Sequence, residues 1–221
     1  MSKLVIFGCG DIAQLAHFYF STDSPHKVVG FTVDAPFLPA ERRFCDLPVV
    51  AFEEVEAYFP ADDHLMFVAL SYNQINKMRA AKFEAAKSLG YQFASYISSR
   101  ASVLTREPIG GNAFILEDNT IQPFATIGAN VTLWSGNHIG HHSVIGDHVF
   151  IASHVVISGR VVIGSYCFLG VNATIRNAVN IGQGCIIGMG ASILADCEPD
   201  GLYATAGTER ARIPASKLRK L

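Results

Sequence analysis

An aliphatic residue recurs at every sixth position along the second half of the chain. Seventeen consecutive positions of this series, from Ile97 to Ile193, hold Ile, Val or Leu without exception. A helix repeats every ~3.6 residues and a strand every two, so neither gives a strict period of six. Stacked coils of short strands do, because three hexapeptides close one triangular coil. The pattern therefore predicts a parallel β-helix in which residues eighteen apart lie above one another.

The residues that flank each aliphatic position follow a pattern of their own. The position two before it usually holds Ala, Ser, Cys or Val, and the position after it is often Gly. We expect the aliphatic and the small residue to point into the coil, and the glycine to permit a tight corner. These glycines are Gly110, Gly128, Gly140, Gly146, Gly164, Gly170, Gly182 and Gly188.

Before the repeats, apolar strands alternate with helical patterns. This alternation predicts a small parallel sheet with right-handed crossovers. We therefore expect two domains, an α/β domain over residues 1–96 and an all-β parallel β-helix with a C-terminal tail over residues 97–221. The predicted elements of the first domain are strands over residues 3–7, 28–33 and 64–70, and helices from the glycine turn to about Phe20 and from about residue 73 to 89.

The second of these helices has an apolar stripe at helical spacing. Met78, Ala81, Ala85 and Leu89 lie on one face, which we expect to pack on the sheet. Gly90 follows at the position of a C-terminal cap, where a left-handed backbone is common.

A glycine-rich turn follows the first predicted strand. Gly8, Gly10 and Ala13 have the spacing Gly-x-Gly-x-x-Ala, and Asp34 ends the second strand. Glycines let the backbone approach a phosphate, the next helix supplies N–H donors, and a carboxylate can accept from a ribose hydroxyl. The same residues also suit a plain tight turn packed on a strand. About four strands leave no room for two mononucleotide halves, so a single nucleotide fits better than NAD.

Composition limits the remaining classes. The chain has 221 residues and a net charge of −2, and no basic block suggests nucleic acid. No apolar run approaches the length of a membrane-spanning helix, and no cleavage site follows the N-terminal apolar segment, so we expect a cytoplasmic protein. The five cysteines show no metal-type spacing, and we interpret Cys167 and Cys185, eighteen apart, as small apolar filler.

Histidines are concentrated in one stretch of the repeats. None of them occupies an inward position, and His141 and His142 follow the Gly140 corner, where they should project outward. A neutral imidazole there can accept a proton from an amine or hydroxyl that attacks a thioester, which contributes a rate factor of about 10²–10⁴. Backbone N–H groups at nearby glycines can stabilise the oxyanion. No Ser-His-Asp or Cys-His arrangement is visible, which favours direct transfer. The histidines of this stretch are His138, His141, His142, His148 and His154.

A metal site is the main chemical alternative. The γ-type carbonic anhydrases, which also have a β-helix, use histidines between subunits, with a pair spaced HxxxxH on one chain. No two histidines here are five apart, and His142, His148 and His154 fall on three different faces. Convergence on one ion within a chain is therefore not expected.

The whole chain resembles the bacterial sugar O-acyltransferase family of sialic-acid O-acetyltransferases and nucleotide-linked amino-sugar N-acetyltransferases. The resemblance is carried by residues 8–13, 141–147 and 168–172. Proteins of this family join a Rossmann-like domain to a left-handed β-helix, act as homotrimers and use acetyl-CoA. The resemblance implies the same architecture and co-substrate here.

The resemblance also implies roles for residues of the coil. The catalytic base of the family corresponds to His141. The next position is commonly an acid that orients the base, and here it is His142. A second family histidine corresponds to Phe150, so its hydrogen bond to the acetyl donor is missing here. The acetyl-CoA contacts correspond to Gly159, Val171 and Met189.

In the first domain, the resemblance places the substrate nucleotide at Gly8, Gly10 and Asp34. Residues 71–76 differ from the family's usual Gly-Asn/Asp turn followed by Arg. Asn73 and Arg79, one helical turn on, are the nearest counterparts, so the base or sugar recognised can differ. At the C-terminus, Lys217, Arg219 and Lys220 either meet CoA phosphates or form a solvated tail.

The function implied is acetyl-CoA-dependent N-acetylation of a nucleotide-linked amino-deoxysugar, as in bacterial surface-polysaccharide biosynthesis. His141 acts as general base, and CoA lies between two coils of a homotrimer that also covers outward residues such as Trp134. Three alternatives stay open: O-acetylation of a sugar such as a sialic acid, a metal-dependent hydratase, and a non-catalytic coil that binds nucleotide sugars.

Overall fold

The structure, a computed structural model, describes residues 2–208 and residue 210. Within these residues no helix is both long and apolar enough to cross a membrane. The first part contains six strands and three α-helices. They are β1 (Lys3–Phe7), α1 (Asp11–Thr22), β2 (Lys27–Val33), β3 (Arg43–Phe44), β4 (Leu47–Ala51), α2 (Val55–Tyr58), β5 (His64–Val68), α3 (Lys77–Ser88) and β6 (Gln92–Phe93).

These six strands form one sheet in the order β3-β4-β2-β1-β5-β6. All pairs are parallel except β3 with β4, which is a short hairpin that the sequence did not predict. The central strand β1 is buried on both sides from Leu4 to Phe7, as expected for a parallel strand between two layers. One layer contains α1 and the other contains α2 and α3. The predicted α/β architecture is confirmed.

Helix α3 differs from its prediction in two ways. It begins at Lys77 rather than near residue 73, because Gln74, Ile75 and Asn76 all adopt left-handed backbone angles (φ 53°, 53° and 62°). Its buried face is also a different one from the predicted stripe. Met78 is 41% exposed, and the buried residues are Arg79, Ala80, Phe83 and Ala86. The capping prediction for Gly90 holds, since its φ is +87°.

From Tyr96 onward the chain winds into a three-sided coil of two-residue strands. We call the three sides face 1, face 2 and face 3. Face 1 contains β7 (Tyr96–Ile97), β9 (Phe114–Ile115), β12 (Thr132–Leu133), β15 (Phe150–Ile151), β18 (Phe168–Leu169), β21 (Ile186–Ile187) and β23 (Leu202–Tyr203). Face 2 contains β8 (Ser102–Val103), β10 (Thr120–Ile121), β13 (His138–Ile139), β16 (Val156–Ile157), β19 (Thr174–Ile175) and β22 (Ser192–Ile193). Face 3 contains β11 (Thr126–Ile127), β14 (Val144–Ile145), β17 (Val162–Ile163) and β20 (Asn180–Ile181).

Neighbouring strands on each face are parallel and pair residues eighteen apart, for example Ile139 with Ile157. The series of aliphatic residues forms the interior, where every member from Ile115 to Ile193 is at most 6% exposed. Ile97 departs from the prediction with 38% exposure, because β7 is the first strand of its face and has no coil beyond it. Cys167, Cys185 and Cys197 fill inward positions as free thiols.

The corners are built differently from the sequence expectation. The left-handed residue of each corner lies three positions after the aliphatic one, as at His142 (φ 57°), His148 (61°) and His154 (58°). Many of these positions hold Asn, Asp, His or Gly, which tolerate this backbone. Glycines directly after the aliphatic residue are needed for another reason. A Cβ on Gly140 would lie 2.4 Å from the backbone of Ser158 in the next coil, so close stacking requires their small size.

The first sheet packs on face 1 and on the corner between faces 3 and 1, through a buried polar cluster that we call the latch. Asn112, Asn130 and His148 lie in three successive coils of that corner, eighteen residues apart. Asn112 exchanges hydrogen bonds with both backbone groups of Val68 (2.7 and 3.2 Å). Its amide donates to Asn130 Oδ1 (2.8 Å), and the amide of Asn130 contacts His148 Nδ1 (2.9 Å).

Arg79 is the centre of the latch and is 1% exposed. Its guanidinium donates to the side chains of Asn130 and Asn76 (3.1 and 2.9 Å) and to the carbonyls of Asn130, His148 and Val149. Burial lowers the pKa of Arg79 to about 9, so the group stays charged at neutral pH. Asn76 adds hydrogen bonds to the carbonyls of Tyr166 and Cys167. The latch thus fixes the sheet against four successive coils.

Candidate active site

The glycine turn and Asp34 border a cavity of about 340 Å³ at the carboxyl ends of β1 and β2. Gly8 has a φ of +126°, and a Cβ on it would lie 2.8 Å from the carbonyl oxygen of Ala69, so only glycine fits. Gly10 precedes α1, and no side chain caps the N–H groups of the first turn of this helix. These groups remain available to an anion.

Asp34 has a partner that the sequence analysis missed. Its Oδ1 lies 2.5 Å from Nζ of Lys82, on α3, and both side chains are about a quarter exposed. The ammonium also lies 5.5 Å from the ring centroids of Phe7 and Phe52. Lys82 lines the same cavity, and a helical lysine forty-eight residues from Asp34 carries no local signal in the sequence.

A second cavity of about 420 Å³ continues from Gly10 along the start of α1. Its lining includes Asp11 at the start of α1, and Ser71, Tyr72 and Asn73, which follow strand β5. The three left-handed residues 74–76 turn the chain sharply behind Asn73. Non-glycine residues in this conformation carry strain, which is common beside functional sites.

The third cavity, of about 330 Å³, is lined by aromatic rings and reaches the coil. Tyr72 from the first part packs on Phe150 and Phe168 of face 1, with ring centroids 5.0 and 4.6 Å apart. Trp134 completes the wall and packs partly on the core of the first sheet. Part of the cover that we expected from a trimer therefore comes from the same chain.

Val171 and Met189 lie at the far side of this aromatic cavity, on the corner between faces 1 and 2. They also border the next cavity, of about 400 Å³, which residues 205–208 close. Tyr72 joins the second cavity to the third, and Gly10 joins the first to the second. The four cavities therefore form one groove, from the glycine turn to the corner of the coil.

His141 lies on a different corner, between faces 2 and 3, and is exposed as predicted. Its backbone N–H donates to Oε1 of Gln122 (2.9 Å). Its Nε2 lies over Gly159 in the next coil, 2.5 Å from the position that a Cβ there would take. Of the three residues expected to contact CoA, Gly159 is thus beside His141, while Val171 and Met189 line the groove on another corner.

His142 is exposed and contacts its neighbour directly. The two Nδ1 atoms of His141 and His142 are 3.0 Å apart, and the rings stand nearly perpendicular (88°). Phe124 packs on the His142 ring at a centroid distance of 4.7 Å. Among the described residues no carboxylate forms an ion pair with either imidazole.

Two residues that the sequence analysis considered lie elsewhere. Arg79 is the buried centre of the latch and lines none of the four cavities, so it has no surface to offer a nucleotide in this conformation. His148, expected outside the core, does lie outside the coil interior but is only 7% exposed, because the first sheet covers it. The described residues contain no group of three or more potential metal ligands. Lys217, Arg219 and Lys220 lie outside the described residues.

Comparisons with known proteins agree with this geometry. Residues 124–159 and 142–177 match the family "Bacterial transferase hexapeptide (six repeats)", and residues 160–195 match "Hexapeptide repeat of succinyl-transferase". A search of curated proteins gives no match.

Solved structures resemble the chain over nearly its full length. The acetyltransferase domain of PglB from Neisseria gonorrhoeae FA1090 has 21% identity and a TM-score of 0.78, with 93% of this chain and 97% of that chain covered. PerB from Caulobacter crescentus, in complex with CoA and GDP-perosamine, has 21% identity and a TM-score of 0.80, with 93% and 95% covered. WeeI from Acinetobacter baumannii AYE has 19% identity and a TM-score of 0.77, with 91% and 96% covered. Residues 124–195 therefore consist of hexapeptide repeats, and the chain has the fold of these structures, a left-handed β-helix with an N-terminal α/β sheet.

Proposed function

We propose that this protein transfers an acetyl group from acetyl-CoA to the amino group of a nucleotide-linked amino-deoxysugar. The observation that carries the proposal is the groove. The chemical character of its lining changes along its length in the same order as the parts of such a ligand pair. The structural relatives include a protein bound to CoA and GDP-perosamine, which is a ligand pair of this kind.

Each part of the groove suits one part of the substrates. The Asp34 carboxylate and the Lys82 ammonium offer an acceptor and a donor for a ribose or base. The uncapped start of α1 beside Gly10 suits the diphosphate. The aromatic cavity suits the apolar face of a deoxysugar. Val171 and Met189 then border the place for the thioester and pantetheine.

The base must reach this groove from a second copy of the chain. His141 lies on the corner between faces 2 and 3, whereas the groove follows the corner between faces 1 and 2. One chain cannot present both edges of face 2 to a single ligand. In a homotrimer, His141 and Gly159 of one protomer would meet the groove of its neighbour. Exposed apolar residues beside His141, such as Val144 (42%) and Val162 (40%) on face 3, would be covered by this contact.

The chemistry is a direct transfer with His141 as general base. The amine of the sugar attacks the thioester carbonyl, and its proton passes to Nε2 of His141. The C–S bond of the tetrahedral intermediate breaks, and the leaving thiolate takes the proton back from the imidazolium. Amide and free CoA are the products, and no covalent enzyme intermediate is required. Backbone N–H groups of the corners are the donors available for the oxyanion.

The test is a reaction with acetyl-CoA and UDP-, GDP- or dTDP-linked amino-deoxysugars. Release of free CoA together with an acetylated sugar nucleotide is expected for one nucleotide, and the same nucleotide should raise the thermal midpoint most. His141→Asn should keep the fold and lower turnover by about two orders of magnitude. If only a hydroxyl group were acetylated, the protein would be an O-acetyltransferase and the proposed amine acceptor would be wrong. No CoA release with any acceptor, despite nucleotide binding, would leave a binding protein instead.

A further inference from the structure

His141 and His142 form a contact that constrains their protons. With 3.0 Å between the two Nδ1 atoms, a hydrogen bond exists only if one nitrogen carries the proton and the other offers a lone pair. In a neutral imidazole, the proton on one nitrogen leaves the lone pair on the other. The hydrogen bond therefore couples the state of both Nε2 atoms.

Within residues 2–208 no carboxylate pairs with these two rings, and other groups hold them in place. The left-handed backbone of residue 142 (φ 57°) aims its side chain back at His141, and Phe124 packs on the outer ring. His141 is fixed by the Gln122 hydrogen bond to its N–H and by the backbone of Gly159 beneath its ring. In the next coil, the backbone N–H of Arg160 donates to the carbonyl of His141 (2.8 Å).

We propose that His142 is the positioning residue of the base: its Nδ1 accepts the Nδ1 proton of His141 and so keeps the lone pair of His141 on Nε2. This inference rests on the proposed function, because only a base at Nε2 needs that tautomer. Nε2 is the atom that lies over Gly159, and His141 as a whole is exposed. A neutral imidazole takes the place that an acid usually holds in the family this chain resembles.

The neutral partner has a consequence for the reaction. When His141 gains the proton of the amine, its positive charge is stabilised by a neutral acceptor rather than by a carboxylate. The hydrogen bond is then charge-assisted through its donor alone, and it lacks the attraction between opposite charges that a carboxylate would add. The base is therefore easier to deprotonate than with an acid partner, which favours return of the proton to the leaving thiolate.

The first test reads the protons directly and needs no activity. Magic-angle-spinning ¹⁵N NMR of histidine-labelled protein, above neutral pH, distinguishes protonated from bare ring nitrogens, and His141→Asn and His142→Asn spectra assign the signals. The expected result is a protonated Nδ1 and bare Nε2 on His141, with the reverse on His142. A protonated Nε2 on His141 would overturn the inference, whatever the enzyme's substrate.

The second test uses three substitutions that tolerate the left-handed backbone to different degrees. His142→Ala should lower kcat/KM roughly tenfold, whereas His142→Asn, whose amide oxygen can accept the same proton, should remain within about threefold of the parent. His142→Asp should move the acidic limb of the kcat/KM profile upward by about one pH unit.

The matched control is Arg42→Asp, which places an acid at another exposed left-handed position (φ 49°), in the first part of the chain and outside the four cavities, and should leave the profile unchanged. Equal pH profiles of kcat/KM for the parent and all three His142 variants would show that His142 does not position the base. Inactivity of the parent protein with every acceptor would instead count against the proposed function, and the NMR result would still decide the tautomer.

Discussion

Nε2 of His141 lies 2.5 Å from the point that a Cβ atom on Gly159, in the next coil, would occupy. Gly159 does not have the positive φ that forces glycine elsewhere in this chain, so a side chain there is opposed only by other side chains, mainly the imidazole and also Oδ1 of Asn177 at 3.0 Å. The glycine thus sets the position of the ring and not the path of the backbone.

Gly159→Ala should therefore separate activity from stability. The methyl group pushes the imidazole away from its place, which we expect to lower kcat by about tenfold to a hundredfold. The free energy of unfolding should change by less than about 1 kcal/mol, because the end of an exposed side chain can move aside. Steady-state kinetics and thermal denaturation of the same preparation check both.

Gly140→Ala is the contrasting variant. Its methyl group would meet the backbone of Ser158 and Gly159 at 2.4–2.6 Å, and the coils cannot separate locally. We expect a loss of about 2 kcal/mol or more in stability. If Gly159→Ala proved as destabilising as Gly140→Ala, the distinction drawn between the two glycines would be wrong.

Replacement of Arg79 by Met should destabilise the protein by about 3 kcal/mol. The substitution leaves the buried carbonyls of Asn130, His148 and Val149 without their donor. Denaturant unfolding measures the change, and Arg106→Met, at an exposed position, serves as control with an expected change below about 0.5 kcal/mol. A negligible effect at Arg79 would mean that the latch does not hold the two parts together.

Stability should fall as the pH falls below about 6.5. Burial lowers the pKa of His148, and also those of His17 and His26, below the value in the unfolded chain. Below about pH 6.5 the unfolded chain then binds protons that the folded protein does not. The free energy of unfolding therefore decreases as the pH falls from about 6.5 to the lowered pKa values of these histidines.

For His148 the cause is burial beneath the sheet. The neighbouring charges partly oppose one another, since Asp147 and Glu84 raise the pKa while Arg79 and Lys87 lower it. His148→Asn removes one titrating group at a left-handed position that Asn tolerates. The acid slope of the unfolding free energy should become shallower, and an unchanged slope would assign the effect to the other histidines.

Lys82→Met should weaken binding of the nucleotide sugar without slowing the chemical step. The ammonium holds Asp34 in place and lines the cavity, but lies far along the groove from Val171 and Met189. We expect KM for the sugar nucleotide to rise about tenfold, with kcat within about twofold. Lys77→Met, on the same helix and outside that cavity, is the matched control. A fall in kcat alone would place Lys82 nearer to the reacting atoms.

The coil could be predicted from the sequence because its constraint is periodic. The six-residue periodicity alone predicts the interior aliphatic series, the stacking of residues eighteen apart and the outward direction of His141. The corner geometry was less accessible, since a glycine required for close approach and one required for a positive φ look alike in a sequence. Gly140 and Gly136 (φ +77°) show the two cases.

The first part was predicted less well, because its decisive contacts join distant segments. The left-handed residues 74–76 shift α3 and rotate its buried face, and the reason lies in Asn76, whose amide reaches the carbonyls of Tyr166 and Cys167 some ninety residues away. Arg79 has a structural role because its guanidinium also donates to carbonyls about seventy residues away, those of His148 and Val149. Lys82, which the sequence analysis did not single out, was found only through its distance to Asp34.

The latch also limits how the length of this protein can change. The sheet grips four consecutive coils at one corner, through Asn112, Asn130, His148 and the carbonyl of Tyr166. An extra eighteen-residue coil inserted among these positions would move some of these hydrogen-bonding groups away from their partners on the sheet. Added after Ile187, it would leave every docking contact intact. Growth or loss of whole coils is thus tolerated only at the end remote from the sheet.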